Sequence, residues 1–235
     1  MKNDIIGIIG AMDIEVNSLI ASMSEKTERI ISSIRFVQGE LYGKRVVVAK
    51  CGIGKVFAAI CTQTMILEYS PSAIINTGVA GSLVKGFNVL DVAVATSVVQ
   101  HDMDTSAIGD PKGLISGINV INIDAEKKVT NALNEAVSAL KFTAKNGVIA
   151  SGDKFIADSS EKNFIRGEFN AIACEMEGAS VGHVCFVNNI PFGVIRVISD
   201  GDGAEMDYMT FAPLAAEKST NIVKEFIKIY NFDEV

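Results

Sequence analysis

The stretch AIACEMEGASVGHVCFV, from Ala171 to Val187, is apolar or small at nearly every position, and its only charged side chains are Glu175 and Glu177. Small residues follow these acids, so the pattern predicts a strand end that passes into a buried helix. A carboxylate in such surroundings is costly unless it is paired or hydrogen-bonded. Helical spacing points Glu177 inward. It is therefore either a salt-bridged core glutamate or a carboxylate aimed at the hydroxyls of a bound ligand.

The length and composition of the chain limit the classes of protein to which it could belong. The chain has 235 residues, 49% of them hydrophobic, which predicts one domain over residues 1–235 with a large core. A net charge of −7 argues against nucleic acid as a partner. No apolar run is long enough to span a membrane, and the start MKNDIIGIIG is unlike a signal peptide, so we expect a cytoplasmic location. The four cysteines lie in apolar segments without a CxxC pattern, which predicts free thiols.

Short apolar runs alternate with helical patterns along the chain. This alternation predicts an α/β, three-layer fold with a central mixed, mostly parallel twisted sheet flanked by helices. The predicted strands are 5–9, 34–41, 45–51, 73–76, 91–100, 144–151 and 192–199, and a small-residue turn is expected at 77–81. The predicted helices begin at residue 13 and after residue 54, and cover 125–140, 159–168 and about 211–230.

Ligands of such sheets bind beyond the carboxyl ends of the strands. Acids and an aromatic residue converge there without a basic cluster, which favours a neutral or cationic small molecule. Taken singly, each acid has a structural explanation that is as good as a functional one. Glu15 could be a helix-start acid, and Asp200 could be a turn acid or a helix cap. The segments that the strand ends bring together are 12–15, 77–81, Phe155, 175–177 and Asp200.

Two other motifs are weaker. The glycines of Gly52-Ile53-Gly54-Lys55 precede a predicted helix, where backbone amides can hold an anion. Phe57 stands where a dinucleotide-binding fingerprint requires glycine, and the stretch does not fit a phosphate loop either. The loop His101-Asp102-Met103-Asp104 superficially resembles a metal cluster, but the only other histidine, His183, lies in the apolar helix. We predict no metal site and no cofactor.

Seven pieces of the chain, in one order and spacing from residue 5 to about 200, resemble the 5′-methylthioadenosine/S-adenosylhomocysteine nucleosidases of the purine nucleoside phosphorylase superfamily. Any one piece is a weak signal, whereas seven in register are a strong one. The resemblance implies a nucleoside phosphorylase-like fold and an enzyme without a cofactor. The pieces are IIGAM-D-I-EV (8–16), CGIGKV (51–56), INTGVAG (75–81), VQHDMD (99–104), SGDKFI (151–156), CEMEGA (174–179) and RVISD (196–200).

The resemblance implies hydrolysis of the bond between adenine and ribose, through a transition state that resembles a ribosyl cation. Glu15 would orient and deprotonate the attacking water. Asp200 would protonate, or hydrogen-bond to, the adenine ring nitrogen that gathers charge as the bond breaks. Glu177 would hold the ribose hydroxyls.

The resemblance also implies contacts around the sugar, the base and the 5′ group. Met176 would pack beneath the sugar. Phe155 would stack on adenine, and the backbone of Ile156 would read its edge. The remaining implied contacts are Met12, Ile53 and Phe211 around the 5′-thioalkyl group, with Val79 and Ser199 also at the substrate.

Elementary chemistry agrees with these roles. A dissociative transition state gains from negative charge near the sugar and from a proton donor near the base. Asp200 must then hold a proton at the working pH, which burial would favour, and Glu15 must be ionised. Three departures from the family pattern bear on substrate preference: Val79 where relatives often carry serine, an unusual start of the last helix at 208–213, and the absence of aromatic residues from 105–119.

Two alternatives remain open from the sequence. A purine nucleoside phosphorylase of the same fold would need arginines for phosphate, and only Lys55 and Arg196 lie near the strand ends. A catalytically silent adenine-nucleoside binder would not need an intact set of three acids. The resemblance implies a homodimer, with an adenine nucleoside and water as the other partners.

Overall fold

The structure, a computed structural model, describes residues 4–200 and 205–232, and the side chains of all of these except 205–207. Its strands are β1 (Ile5–Gly10), β2 (Ser24–Ile31), β3 (Ile34–Leu41), β4 (Lys44–Lys50), β5 (Ala73–Ser82), β6 (Val92–Gln100), β7 (Ile123–Asp124), β8 (Ala144–Ser151), β9 (Ala171–Glu175) and β10 (Phe192–Asp200). Its helices are α1 (Asp13–Ser22), α2 (Lys55–Tyr69), α3 (Lys127–Ala139), α4 (Ser159–Phe169), α5 (Gly178–Asn188) and α6 (Glu205–Ile229).

The strands form one mixed sheet, which confirms the predicted fold class. Its centre is the parallel set β4-β1-β5-β10. Strands β1 and β10 are buried at every residue, as expected for parallel strands covered on both faces, which read as continuous apolar runs in the sequence. Strands β3 and β2 extend one side of the sheet by antiparallel pairing.

The other side of the sheet closes on itself. β10 pairs with both β5 and β6, β6 pairs with β8, β8 with β9, and β9 returns to β5. These five strands therefore form a small closed ring. The last pairing joins Gly81 of β5 to Cys174 of β9, so residues near the carboxyl ends of both strands meet at one point.

Helices cover both faces of the sheet and complete the three layers. α2 and α5 pack together over one face, around the buried residues Cys61, Met65 and Cys185. α1, α3 and α6 cover the other face, around Leu19, Leu133 and Phe226. None of the helices in the described ranges is long and apolar enough to cross a membrane.

The structure differs from the sequence-based expectation at three elements. Residues 77–81, expected to be a turn, continue β5 to Ser82, because small residues are compatible with a strand that other backbones approach closely. β2 was not predicted, since SEKTERII is polar and exposed at nearly every position. α6 begins at Glu205 rather than near 211, and Pro213 lies inside it, although proline is expected only in the first turn of a helix.

Candidate active site

A cavity of about 220 Å³ opens at the carboxyl ends of β1, β5, β9 and β10. It brings together nine of the eleven residues that the resemblance implied, so side chains spread over almost the whole sequence share one site. The predicted residues that line it are Met12, Glu15, Ile53, Val79, Phe155, Met176, Glu177, Ser199 and Asp200.

The other two predicted residues behave differently. Ile156 lines a small adjoining cavity, which shares Phe155, Met176 and Asp200 with the main one. Phe211 is not among the residues that line either cavity, and its place at the 5′ group stays a prediction. Tyr208, about one helical turn earlier in α6, lines the main cavity instead. The shift follows from the helix start, which lies six residues before the predicted one.

Glu15 is held by the backbone on two sides. Its Oε2 atom accepts hydrogen bonds from the amides of Ala11 (2.7 Å) and Met12 (2.9 Å), and its Oε1 atom accepts one from Val79 (3.2 Å). Burial raises the pKa of Glu15 above its usual value, against the opposing effects of Arg196 and the three amides. Glu15 is therefore a fixed carboxyl group with a strengthened affinity for a proton.

The close approach of Glu15 to β5 depends on Gly78. A Cβ atom at this position would lie 2.5 Å from Oε1 of Glu15, which is shorter than van der Waals contact allows. The sequence INTGVAG thus has a packing reason for its first glycine. Its second glycine, Gly81, stands in the same relation to Asp200, because a Cβ atom there would lie 2.9 Å from the Oδ2 atom.

Glu175 is the structural acid of the CEMEGA stretch. It forms a fully buried ion pair with Arg196 and accepts hydrogen bonds from Ser151 and from the Gly178 amide at 2.8 Å. Burial alone favours the neutral acid, but the Arg196 charge and these hydrogen bonds together hold the pKa of Glu175 below its usual value. The stretch thus contains a salt-bridged core glutamate, but it is Glu175 and not Glu177, the residue for which that alternative was considered.

Glu177 lies at the start of α5 and faces the cavity without such a partner. Its Oε1 atom accepts a hydrogen bond of 2.8 Å from the Gly54 amide, and no ion pair to it is found among the described residues. Burial, together with the nearby Glu175 charge, raises the pKa of Glu177 to about 8, despite Arg196 and the Gly54 amide. The surroundings of Glu177 therefore favour its protonated form near neutral pH.

The glycine-rich start of α2, considered as an anion site, holds the protein's own carboxylates. The Gly54 amide donates to Glu177 and the Lys55 amide donates to Asp153 at 2.7 Å. The Lys55 ammonium pairs with Asp102. Two backbone donors and one cation at this helix start are therefore already engaged by side chains of the chain itself.

Asp200, the last residue of β10, is buried between two neighbours. Its Oδ1 atom accepts a hydrogen bond of 3.0 Å from the Ser199 hydroxyl, and its Oδ2 atom lies 3.3 Å from the Lys162 ammonium. Lys162 belongs to α4, the helix that the sequence predicted at 159–168. The chain contained one usable signal for Lys162: it starts the apolar spacing Lys162, Ile165, Phe169, and all three are buried.

Aromatic and sulfur-containing side chains form the rest of the wall. Phe155 packs edge-to-face against Tyr208, with ring centroids 5.4 Å apart. The Tyr208 hydroxyl lies 3.5 Å from the Met12 sulfur. Tyr208 thus joins the segment after β8 to the start of α1 across the mouth of the cavity, and it adds a polar atom to an otherwise apolar wall.

The loop His101–Asp104 does not line the cavity that contains these acids. Asp102 accepts from Lys55 and from the Asp153 amide, and burial lowers the pKa of His101. Among the residues that the structure describes, no group of three histidine, cysteine or acidic side chains is placed to hold a metal ion. All four cysteines are buried and unpaired.

A closed-ring α/β sheet with a cavity of buried carboxyls at its strand ends defines the nucleoside phosphorylase class of proteins. In agreement, the family described as Phosphorylase superfamily matches residues 5–228. The 5′-methylthioadenosine/S-adenosylhomocysteine nucleosidase of Actinobacillus succinogenes is 39% identical over 221 residues, which are 93% of this chain and 96% of that protein. The chain belongs to the 5′-methylthioadenosine/S-adenosylhomocysteine nucleosidase family, whose members are N-glycosyl hydrolases.

Solved structures agree with this assignment. The nucleosidase of Neisseria meningitidis in complex with methylthio-immucillin-A superposes with a TM-score of 0.92 at 33% identity, covering 96% of this chain and 99% of that one. A futalosine hydrolase of Helicobacter pylori superposes with a TM-score of 0.91 at 36% identity, covering 96% and 97% of the two chains. The same fold and a similar degree of identity thus accompany two differently named substrates.

Proposed function

We propose that this protein hydrolyses the N-glycosidic bond of 5′-methylthioadenosine and S-adenosylhomocysteine to release adenine, and that it accepts 5′-deoxyadenosine as well. The observation that carries the proposal is the meeting of Glu15, Glu177 and Asp200 in one largely apolar cavity with Phe155. The names of the similar nucleosidases support the two thioether substrates.

Glu15 has the properties of a base for the attacking water. Burial raises the pKa of Glu15 and so brings it closer to neutral pH. A general base is most effective when its pKa lies near the working pH. The three backbone amides fix its orientation before substrate arrives. Water would give its proton to Glu15 while its oxygen bonds to the anomeric carbon.

Asp200 is the proposed acid for the leaving adenine. The Ser199 hydroxyl donates a hydrogen bond to its carboxyl group, and the missing side chain of Gly81 leaves room for it at the cavity wall. As the bond to the sugar breaks, its electron pair moves into adenine, and a proton from Asp200 neutralises the ring nitrogen that gathers this charge. Phe155, half exposed at the cavity, offers a flat surface to the base.

Glu177 is the proposed partner of the ribose hydroxyls. Because the carboxyl is buried, has one backbone donor and lacks an ion pair among the described residues, it keeps hydrogen-bonding capacity for a ligand. Met176, the residue before it, offers a polarizable surface beneath the sugar.

Water rather than phosphate is the proposed nucleophile. A phosphorylase would need free cations at the site, but Arg196 is buried in its pair with Glu175, and Lys55 is paired with Asp102. The backbone donors at the start of α2 are also occupied by carboxylates. The Glu15 carboxylate, which must be ionised to act as the base, would in addition repel a dianion, which argues against AMP as a substrate.

The experiment that tests this function is an adenine-release assay in phosphate-free buffer, with 5′-methylthioadenosine, S-adenosylhomocysteine, 5′-deoxyadenosine, AMP and futalosine as substrates. We expect cleavage of the first three with modest differences in kcat/KM, since one buried methylene contributes only about 0.8 kcal/mol. A strong requirement for added phosphate, efficient cleavage of AMP, or a dominant activity on futalosine would each replace the proposal. No turnover of any nucleoside would favour a silent binder.

We also propose that the chain acts as a homodimer in the cytoplasm. Support for the dimer comes from apolar side chains left in solvent on the packed pair α2 and α5, namely Val56, Phe57, Ile60, Phe186 and Val187. Exposed apolar area of this kind marks interaction surfaces. Sedimentation at micromolar concentration tests this, and a monomer would contradict it.

A further inference from the structure

Lys162 is the buried cation that the proposed chemistry leaves without a role. Its residue is only 5% exposed, on the same face of α4 as Ile165 and Phe169. Lysine is almost never so buried unless it is paired. An apolar side chain would continue the buried face of α4 without the cost of removing an ammonium group from water. The presence of a charge there calls for an explanation beyond packing.

One partner of Lys162 is the acid at the cavity wall. The Lys162 Nζ atom lies 3.3 Å from the Oδ2 atom of Asp200, and both side chains are 6% exposed. This separation is longer than the 2.7–2.9 Å of a tight charge-assisted hydrogen bond. The pair therefore places a positive charge beside Asp200 without fixing both groups in a single tightly bonded state.

We propose that Lys162 is a positioning residue for the general acid: it keeps the Asp200 carboxyl directed into the cavity and balances the negative charge that Asp200 acquires when it gives up its proton. This inference rests on the hydrolase function proposed above. Lys162 does not line the main cavity, so it acts through Asp200 and not on the substrate.

The balanced reaction shows where such a charge is needed. The bond between the anomeric carbon and adenine breaks, its electron pair stays with adenine, and the Asp200 proton passes to a ring nitrogen. The oxygen of water bonds to the sugar, and a water proton passes to Glu15. Asp200 is left as a buried carboxylate, which is costly without a counter-charge. An ammonium already in place stabilises that state more than the starting one, and therefore lowers the barrier.

The other titratable groups around Asp200 carry no positive charge. Burial raises the pKa of the Cys174 thiol on β9 to about 12, and burial also raises the pKa of the Tyr208 phenol on α6, so both stay neutral at working pH. Glu175 is balanced by Arg196. Lys162 is thus the cation within ion-pair distance of Asp200 in the described part of the chain.

The position of α4 in the sequence links Lys162 to the proposed adenine contact, Phe155, as well as to the general acid, Asp200. The helix starts three residues after Ile156, and Asp158 caps it by accepting from the amides of Ser160 (2.8 Å) and Glu161 (3.0 Å). The segment that places Phe155 in the cavity is therefore followed directly by the helix that holds the counter-charge.

The test is a kinetic comparison of the wild type with Lys162→Met, Lys162→Gln and Lys162→Arg, with the exposed Lys127→Met as control, on 5′-methylthioadenosine. We expect Lys162→Met and Lys162→Gln to lower kcat by about 10- to 100-fold with KM changed less than about threefold, because the loss falls on proton donation. Lys162→Arg restores the charge and should recover most of kcat.

The pH profile separates this role from a structural one. A positive charge beside an acid favours its ionised form, so the alkaline limb of kcat/KM should move to higher pH in the two neutral variants while the maximal rate falls. A folding defect alone would not shift the limb. Melting temperatures monitor folding, and Lys162→Gln replaces Lys162→Met if the latter does not fold.

The outcomes distinguish two failures. If the wild type does not cleave the nucleoside, the proposed function is wrong. If the wild type cleaves it and a folded neutral variant keeps both wild-type kcat and the wild-type alkaline limb, only the role of Lys162 is overturned. An equal loss in the Lys162→Arg variant would likewise show that the charge is not what matters.

Discussion

Arg196 pairs with Glu175, the last residue of β9, and not with Glu177, which follows two residues later and caps α5. The guanidinium charge lowers the pKa of Glu175, whereas burial and the nearby Glu175 raise that of Glu177 to about 8. The pKa values of two acids that lie two residues apart are thus shifted in opposite directions. One anchors the sheet, and the other remains available to a ligand.

This contrast predicts opposite effects of amide substitution on stability. Unfolded Glu177 ionises near its usual value of 4.5, and folded Glu177 near 8. The wild type therefore loses stability as the pH rises between these values, by at most a few kcal/mol because each unit of pKa difference is worth about 1.4 kcal/mol. The Glu177→Gln variant avoids this loss, so its melting temperature without ligand should exceed that of the wild type increasingly from pH 5 to pH 8.

Glu175→Gln is the matched control for that experiment. It removes the partner of the buried Arg196, which costs about 3–5 kcal/mol, so this variant should melt well below the wild type at neutral pH. A Glu177→Gln variant that is equally destabilised would mean that Glu177, too, is a core ion-pair member and would contradict its assignment to the ligand.

Replacing the acid should separate binding from turnover. In Asp200→Asn an amide can still hydrogen-bond to adenine but cannot deliver a proton, so kcat on 5′-methylthioadenosine should fall by about 10²- to 10⁴-fold. Substrate affinity, measured by calorimetry, should change much less. Near-normal turnover by this variant would remove Asp200 from the role of general acid.

The proposed base has its own signature in the pH profile. Glu15 must be ionised to accept a proton from water, and burial raises its pKa above 4.5, so the acid limb of wild-type kcat/KM should lie above that value. The Glu15→Gln variant should lose turnover by about 10²-fold or more while a transition-state analogue still binds. If the main result is instead a lowered melting temperature with activity retained, Glu15 is only a helix-start acid.

A methyl group added at Gly78 on β5 should displace the carboxyl group of Glu15, the proposed general base, without changing its chemical identity. In Gly78→Ala the new Cβ atom would lie 2.5 Å from Oε1 of Glu15, so the carboxylate must leave its three amide donors. Overpacking of this kind costs about 1–3 kcal/mol, and kcat should fall together with stability. Gly167→Ala on α4 is the control, because a Cβ atom there meets nothing within 4 Å. Equal activity of both variants would show that the position of Glu15 is not critical.

The sequence predicted most of the fold because apolar periodicity dominates these elements. Strand 144–151 and helix 55–69 follow it closely. Ring closure could not be predicted, since pairing of β10 with both β5 and β6 depends on contacts far apart in the chain. The exposed strand β2 has no apolar face, so its sequence shows no alternation of apolar and polar residues from which a strand could be predicted.

The candidate site was predicted largely through motifs, and the misses have physical causes. Residues 77–81 look like a turn because their small side chains serve close approach by Glu15 and Asp200, a reason visible only in three dimensions. Tyr208, and not Phe211, lines the cavity, because α6 starts earlier than predicted. The sequence could not fix that start past the acidic stretch at 202–207 and Pro213. Lys162 was overlooked because its partner Asp200 is 38 residues away.

The ring of five strands also affects the order of folding, because the sheet is complete only when β10 has paired. β10 is the last strand in the sequence, and until it inserts between β5 and β6 both of those strands present unpaired edges. Open edges are prone to wrong pairings and aggregation, and contacts of long sequence separation form slowly. Because β10 also carries Asp200, the step that seals the edges is the step that completes the site. A chain that lacks β10, or in which β10 has not yet paired, is therefore both prone to aggregation and inactive. Enzymatic activity thus measures the fraction of molecules with a complete sheet.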